Sequence, residues 1–357
     1  MPAITPLIST AALDSHRTTG ISPLLSPALL RHELPVDEDA AACVTGSRAD
    51  VVDVLAGRDD RLLVVVGPCS IHDPAAGLEY AHRLAAHTEG LADRLLVVMR
   101  AYFEKPRSTV GWKGLVNDPG LDETFDVNRG LRTARALLLD VLGMGMPVGC
   151  EFLDPITPQY LSDLVTWGSI GARTAASQVH RQLASGLSMP VGIKNGTDGD
   201  VQVAVDAVRA AASSHVFMGI NPDGLAALIS TTGNPDGHVI LRGGATGPNF
   251  GATDVADTMA RLDRCGLPRR VLVDASHGNS GKDHVRQAQV AAELAARIAG
   301  GERGVAGVML ESFLVPGRHD LGPGMTYGQS ITDACMGWDT TAALLDELAE
   351  AVAARRR

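Results

Sequence analysis

Runs of six to eight mostly apolar residues recur along the chain and alternate with longer stretches of helical period. The runs are LLVVVG (62–67), LLVVMR (95–100), PVGCEF (147–152), GSIGAR (168–173), PVGIKN (190–195), HVILRG (238–243), RVLVDASH (270–277) and VAGVMLES (305–312). Continuous apolar runs suit strands buried on both faces, as in parallel sheets. Between them, DVQVAVDAVRAAA (200–212) and HVRQAQVAAELAARIA (284–299) repeat apolar positions at helical spacing. DPITPQYLSDLV (154–165) places Pro158 near a helix start, where a missing N–H costs little. Eight strands with helical crossovers predict an α/β fold, a (β/α)8 TIM barrel. A doubly wound open sheet competes, but neither a GxGxxG nor a GxxxxGK(S/T) fingerprint favours it.

Three segments exceed a minimal barrel. Residues 1–45, rich in Pro, Ser and Thr at first, read as an N-terminal arm, with the barrel at 46–357. Residues 214–236 contain two β-like runs around an Asn-Pro-Asp-Gly turn signal. They read as a small β-hairpin inserted between helix 5 and strand 6. The connection 101–126, with AYFEKPRSTVGWKG, is too long and too rich in charge and aromatics for a linker, so it reads as functional.

A chain of 357 residues that is 45% hydrophobic can bury a large core. Its net charge of -10 argues against nucleic acid or an anionic membrane as partner. No secretory signal and no run of about 18 apolar residues is found, so no membrane span is expected. Five scattered cysteines, an odd number, do not form a disulfide framework and point to the reducing cytoplasm.

In a barrel the active site forms at the C-terminal strand ends. Those ends read Cys69, Arg100, Glu151, Arg173, Lys194, Arg242, His277 and Glu311, all ionisable or metal-ligating. Each alone would read as a solvated rim residue, and His277 as a satisfied core histidine, but eight converging ends read as a site. Cys69, His277 and Glu311, with Asp333 in YGQSITDACMGW, offer sulfur, nitrogen and oxygen donors suited to a divalent transition ion. Arg100, Arg173, Lys194 and Arg242, with Lys105 and Arg107 from EKPRST, form a cationic set. So many cations in an acidic protein imply a ligand with several negative charges, and guanidinium forks match phosphate and carboxylate oxygens. The backbone amide of Ala172 is a further phosphate donor.

GPCSIHDP, RAYFEKPRSTVGWKG, GARTAASQVHRQLASGLSMPVGIKNGTDG, HVILRGG, DASHGNSGKD and YGQSITDACMGW together resemble 3-deoxy-D-arabino-heptulosonate-7-phosphate (DAHP) synthase. The similarity is to the microbial type I group regulated by aromatic amino acids and covers residues 20–355. It implies condensation of phosphoenolpyruvate with erythrose 4-phosphate, the first step of the shikimate pathway to chorismate and the aromatic amino acids. It implies Cys69, His277, Glu311 and Asp333 as ligands of Mn2+, Fe2+, Co2+ or Zn2+. Arg173, Arg242 and the Ala172 amide would hold the phosphoenolpyruvate phosphate, and Arg100, Lys105 and Lys194 its carboxylate. Arg107 and Ser108 would hold the erythrose 4-phosphate phosphate, the serine replacing a usual threonine. Ala176 stands where relatives commonly carry glutamate. Glu151, Lys105, His180 and Lys194 are the catalytic candidates, the first three available for proton handling.

The resemblance also implies a homo-oligomer, dimer or tetramer, and an inhibitor cleft between the hairpin and the SGLSMP loop around Ser188. Gly219 stands where phenylalanine-sensitive relatives tend to carry serine, which favours tyrosine as the inhibitor. The rival readings are a catalytically silent paralogue that senses aromatic amino acids, a synthase using another phosphosugar, and a Schiff-base aldolase built on Lys194.

Overall fold

The computed structural model describes residues 16–107 and 109–357. After two helices, α1 (Pro27–Glu33) and α2 (Glu38–Ala56), the chain enters β1 (Leu62–Gly67), α3 (Pro74–Thr88), β2 (Leu95–Arg100) and α4 (Val127–Leu142). It continues through β3 (Val148–Glu151), α5 (Pro158–Leu161), β4 (Trp167–Ile170), α6 (Gln178–Gly186), β5 (Val191–Lys194) and α7 (Gln202–Ala211). A hairpin, β6 (Val216–Ile220) and β7 (Ala226–Ser230), precedes β8 (Gly237–Leu241), α8 (Ala252–Arg264), β9 (Val271–Asp274), α9 (His277–Ser280) and α10 (His284–Ala299). The chain closes with β10 (Val305–Glu311), a short pair β11 (Val315–Arg318) and β12 (Gln329–Ser330), and α11 (Trp338–Arg355).

Strands β1, β2, β3, β4, β5, β8, β9 and β10 close a parallel barrel, as the eight apolar runs predict. The open-sheet alternative is excluded. Inward-facing Leu63, Val65, Leu96, Val98, Trp167, Ile240, Leu272 and Met309 form one cluster in the barrel interior. Val51, Val54 and Leu55 of α2 join it and plug the N-terminal mouth. The helix sits there because Ser47 Oγ lies 2.8 Å from Thr166 Oγ1 and Arg48 donates to Val165 O, just before β4. Residue 45 therefore lies inside a helix that closes the barrel floor. With that end sealed, the opposite end remains for a site.

Side chains alternate along each strand, so the residue two beyond an inward apolar one also faces inward. Arg100 follows Val98, Lys194 follows Gly192, Arg242 follows Ile240, Asp274 follows Leu272 and Glu311 follows Met309. The top interior layer is thus built of charges where the layers below are apolar.

Two strands end three residues earlier than the sequence suggests. The run 168–173 ends as a strand at Ile170, and 270–277 ends at Asp274. Arg173 consequently stands in the turn beyond β4, and His277 opens α9 beyond β9. The stop at Asp274 is local chemistry: its Oδ1 accepts from Ser276 N–H and Ser276 Oγ–H, which turns the chain out of the sheet. The hairpin β6–β7 is antiparallel, with Gly219 opposite Ala227, and lies between α7 and β8.

Candidate active site

A cavity of about 270 Å³ opens at the C-terminal end of the barrel. Lys105, Arg107, Glu151, Ala172, Arg173, Lys194, Arg242, His277 and Asp333 line it, together with Thr109, Thr197, Lys282 and Thr332. One edge comes from the β2–α4 connection, which is pinned by Glu104. That buried carboxylate accepts from Leu153 N–H, Asp154 N–H and Thr157 Oγ–H, tying the connection to the loop after β3. Ser108 lies outside the described residues.

One ligand atom each from Cys69, Glu311 and Asp333 can be chosen so that all three lie within 4.8 Å of one another. His277 adjoins them, its Nε2 3.8 Å from Glu311 Oε1. Its Nδ1 lies 2.8 Å from Asp274 Oδ2. That nitrogen also lies 2.6 Å from Ser276 Oγ, so Nδ1 is engaged on the Asp274 side and Nε2 is the nitrogen turned toward the cluster. The set of thiol, imidazole and two carboxylates fits a borderline divalent ion. Asp333 is held at about 2: burial raises its pKa, but Lys105, Lys282 and His277 outweigh that. Glu311 is likewise below its ordinary value, because His277, Arg100 and Lys105 overcome its burial. Burial raises Cys69, so the thiol needs a cation to ionise.

That cation is at hand. Lys105 Nζ lies 3.1 Å from both Cys69 Sγ and Cys69 O. Burial alone would depress Lys105, but Cys69, Glu311 and Glu151 outweigh it and keep the ammonium charged. Lys194 is raised in the same way, burial being overcome chiefly by Asp274, whose Oδ2 lies 3.0 Å from Nζ. A Schiff-base lysine needs the neutral amine, so this environment opposes the aldolase reading of Lys194.

Arg100 is placed differently from the other cations. It is buried below the cavity floor and donates from Nη2 to Glu311 Oε1 at 3.0 Å. Its guanidinium carbon lies 3.9 Å from the Tyr102 ring centroid. Breaking such a buried pair from one side costs about 3–5 kcal/mol.

His180 is not brought into the cavity. Its Nδ1 lies 3.0 Å from Ser177 Oγ and its Nε2 2.8 Å from Leu153 O, so both ring nitrogens are engaged near the start of α6. Glu151, by contrast, lines the cavity, and a Cβ on Gly171 would stand 2.3 Å from its Oε1. A side chain at that turn would displace the carboxylate.

Asp274, Thr197 and Lys282 were missed by the sequence reading. Asp274 is hidden in the run VLVDASH, because strand pairing stops there, three residues before the run ends. Ser188 and Gly219 lie away from this cavity. The loop bearing exposed Ser188 is tied to the hairpin's return strand: Ser185 Oγ lies 2.8 Å from Thr231 Oγ1, and Asn234 donates to Leu187 O and Met189 O.

The chain is similar to known proteins in sequence and, for one solved structure, in fold. It is 52% identical to a phospho-2-dehydro-3-deoxyheptonate aldolase of Corynebacterium glutamicum, covering 98% of this chain and 97% of the relative. It is 54% identical to the Phe-sensitive phospho-2-dehydro-3-deoxyheptonate aldolase of Escherichia coli K12, over 96% of this chain and 98% of that one. The solved structure of the phospho-2-dehydro-3-deoxyheptonate aldolase from Francisella tularensis superposes with a TM-score of 0.93. That pair is 49% identical, over 95% of this chain and 99% of the other. A closed barrel with a thiol–carboxylate cluster beside a cationic wall, and a DAHP synthetase I family model matching residues 33–346, lead to one assignment: the chain belongs to the DAHP synthetase I family.

Proposed function

We propose that the chain condenses phosphoenolpyruvate with erythrose 4-phosphate and water, giving DAHP and inorganic phosphate. The observation that carries this reading is one cavity joining the Cys69, Glu311 and Asp333 cluster to a wall of Lys105, Arg107, Arg173, Lys194 and Arg242. A metal-ligand set alone would fit many hydrolases, and a cationic wall alone would fit a phosphate binder. Together they fit a phosphorylated acid held beside a polarised carbonyl.

A divalent ion held by Cys69, His277, Glu311 and Asp333 supplies Lewis acidity toward the aldehyde oxygen. The protein's own groups do the rest. Arg173, Arg242 and the Ala172 amide hold the phosphoenolpyruvate phosphate, while Lys105 and Lys194 hold its carboxylate. Arg100 acts from below by fixing Glu311. Arg107, with the Ser108 hydroxyl expected from the sequence, holds the phosphate of the sugar. This orients C3 of the enol toward the aldehyde carbon. Lys105, held as ammonium, is suited to give a proton to the aldehyde oxygen as the carbon–carbon bond forms. Glu151 is suited to take one from the water that adds at C2, after which phosphate leaves by C–O cleavage.

The reading extends to regulation. The inner face of the hairpin, with Phe217, Gly219, Ala227 and Ile229, and the loop at Ser188 would together receive an aromatic amino acid, tyrosine by preference. The outer face exposes Val216, Met218 and Leu228, which supports a homo-oligomer, to be tested by light scattering. The reaction is tested by following the loss of the phosphoenolpyruvate enol absorbance in metal-loaded protein. Loss should begin only when erythrose 4-phosphate is added. A catalytically silent sensor would show tyrosine binding and no loss.

A further inference from the structure

The turn after β9 holds two non-glycine residues in the left-handed region, His277 at φ 49° and Lys282 at φ 65°. Such conformations persist where the surrounding structure demands the side chain. For His277 the demand is the site described above, whereas Lys282 enters it so far only as a charge beside Asp333. Its backbone is fixed, with Lys282 N–H donating to His277 O at 2.7 Å. Its ammonium rests on Asp333, 3.0 Å from Oδ1 and 3.3 Å from Oδ2.

Lys282 also faces a second space. A lobe of about 540 Å³ adjoins the main cavity, bounded by Gly244, Ala245, Gly278 and Gly281. Arg173, Thr197, Arg242, His277 and Lys282 line both spaces and so form the wall between them. No carboxylate lines the lobe among the described residues. Its walls are largely backbone because the loops interlock: a Cβ on Gly243 would stand 2.4 Å from Gly278 C, and one on Gly244 2.2 Å from Gly199 N. Arg173, Arg242 and Lys282 bring three cations to a space that no carboxylate lines, which suits a dianion, although Lys282 is also held by Asp333 of the adjoining cavity.

We propose that Lys282 is a further substrate-positioning residue, a third cation for the phosphate held by Arg173 and Arg242. It acts from the lobe side, where that phosphate departs as inorganic phosphate. This rests on the condensation proposed above. The Lys282 side chain is 52% exposed, so its hold on Asp333 is solvent-screened and its flexible stem can exchange that carboxylate for a phosphate dianion. Guanidinium forks fix the phosphate's orientation, and the ammonium adds charge without demanding geometry.

The test is calorimetric titration of inorganic phosphate into wild type, Lys282→Met and Lys282→Arg, each loaded with Mn2+. Lys282→Met should bind phosphate about tenfold more weakly, and Lys282→Arg close to wild type. The KM for phosphoenolpyruvate should rise by the same factor, with the KM for erythrose 4-phosphate unchanged. Mn2+ affinity, read by electron paramagnetic resonance, should not fall, because removing the ammonium frees the Asp333 carboxylate from a competing cation. Wild-type phosphate affinity in Lys282→Met would overturn the proposal. So would a variant whose one change is in Mn2+ affinity, since Lys282 would then act only through Asp333. Lys282-dependent phosphate binding without turnover would support this role while contradicting the condensation itself.

Discussion

The ammonium of Lys105 touches Cys69 at two atoms, 3.1 Å from the sulfur and 3.1 Å from the carbonyl oxygen. The thiol is raised by burial, and a buried positive charge is what can stabilise it as thiolate. We therefore expect Cys69→Ala to lose metal on dialysis, read by elemental analysis, with folding retained. Lys105→Met should keep the cluster but lose about 100-fold or more in turnover, because a proton donor and an electrostatic contact disappear together. Full metal content and full turnover in Cys69→Ala would contradict this site.

Arg173 and Arg107 stand on the same cavity wall but serve different substrates in this account. Arg173→Ala should raise the KM for phosphoenolpyruvate by roughly 30–150-fold, equivalent to about 2–3 kcal/mol for a charge-assisted phosphate contact. Arg107→Ala should raise the KM for erythrose 4-phosphate instead. Equal effects of each variant on both substrates would reject the division.

A third expectation concerns stability. His238 is buried in the barrel, its Nε2 accepting from Trp167 Nε1–H at 3.1 Å, and burial depresses it to about 4. The unfolded chain takes up that proton near pH 6.5, so stability present above this value is lost as pH falls toward 4. From pH 7 to pH 5 this one residue should remove about 2 kcal/mol of folding stability. Urea unfolding at the two pH values, compared between wild type and His238→Gln, measures it. An equal loss in both proteins would assign the effect elsewhere.

The hairpin should make turnover sensitive to millimolar tyrosine. A Cβ on Gly219 would stand 2.9 Å from Ile229 Cγ1, so Gly219→Ser crowds the inner face of the hairpin. That variant should keep its basal rate and lose tyrosine inhibition. Inhibition of wild type by phenylalanine or tryptophan but not tyrosine would refute the ligand, and inhibition by none would refute the cleft.

The barrel was legible because strands buried on both faces must be continuously apolar, and LLVVVG and LLVVMR are. Their charged ends were legible for the same reason, each breaking an apolar run. Asp274 was not, since RVLVDASH carries its polar residues in series and nothing in the run marks where pairing stops. Arg100 reads as one more cation in the row, and only its register beside Glu311 shows it turned beneath the floor. His180 depends on where α6 points, which a helical period does not specify. Lys282 reaches the cavity through a left-handed backbone that no lysine announces.

The most direct test of the account is phosphate release from phosphoenolpyruvate by the metal-loaded protein, with and without erythrose 4-phosphate. The account predicts one phosphate per phosphoenolpyruvate consumed, dependent on the aldose and abolished by chelator. Phosphate release at the same rate without erythrose 4-phosphate, or none with it, would contradict the account.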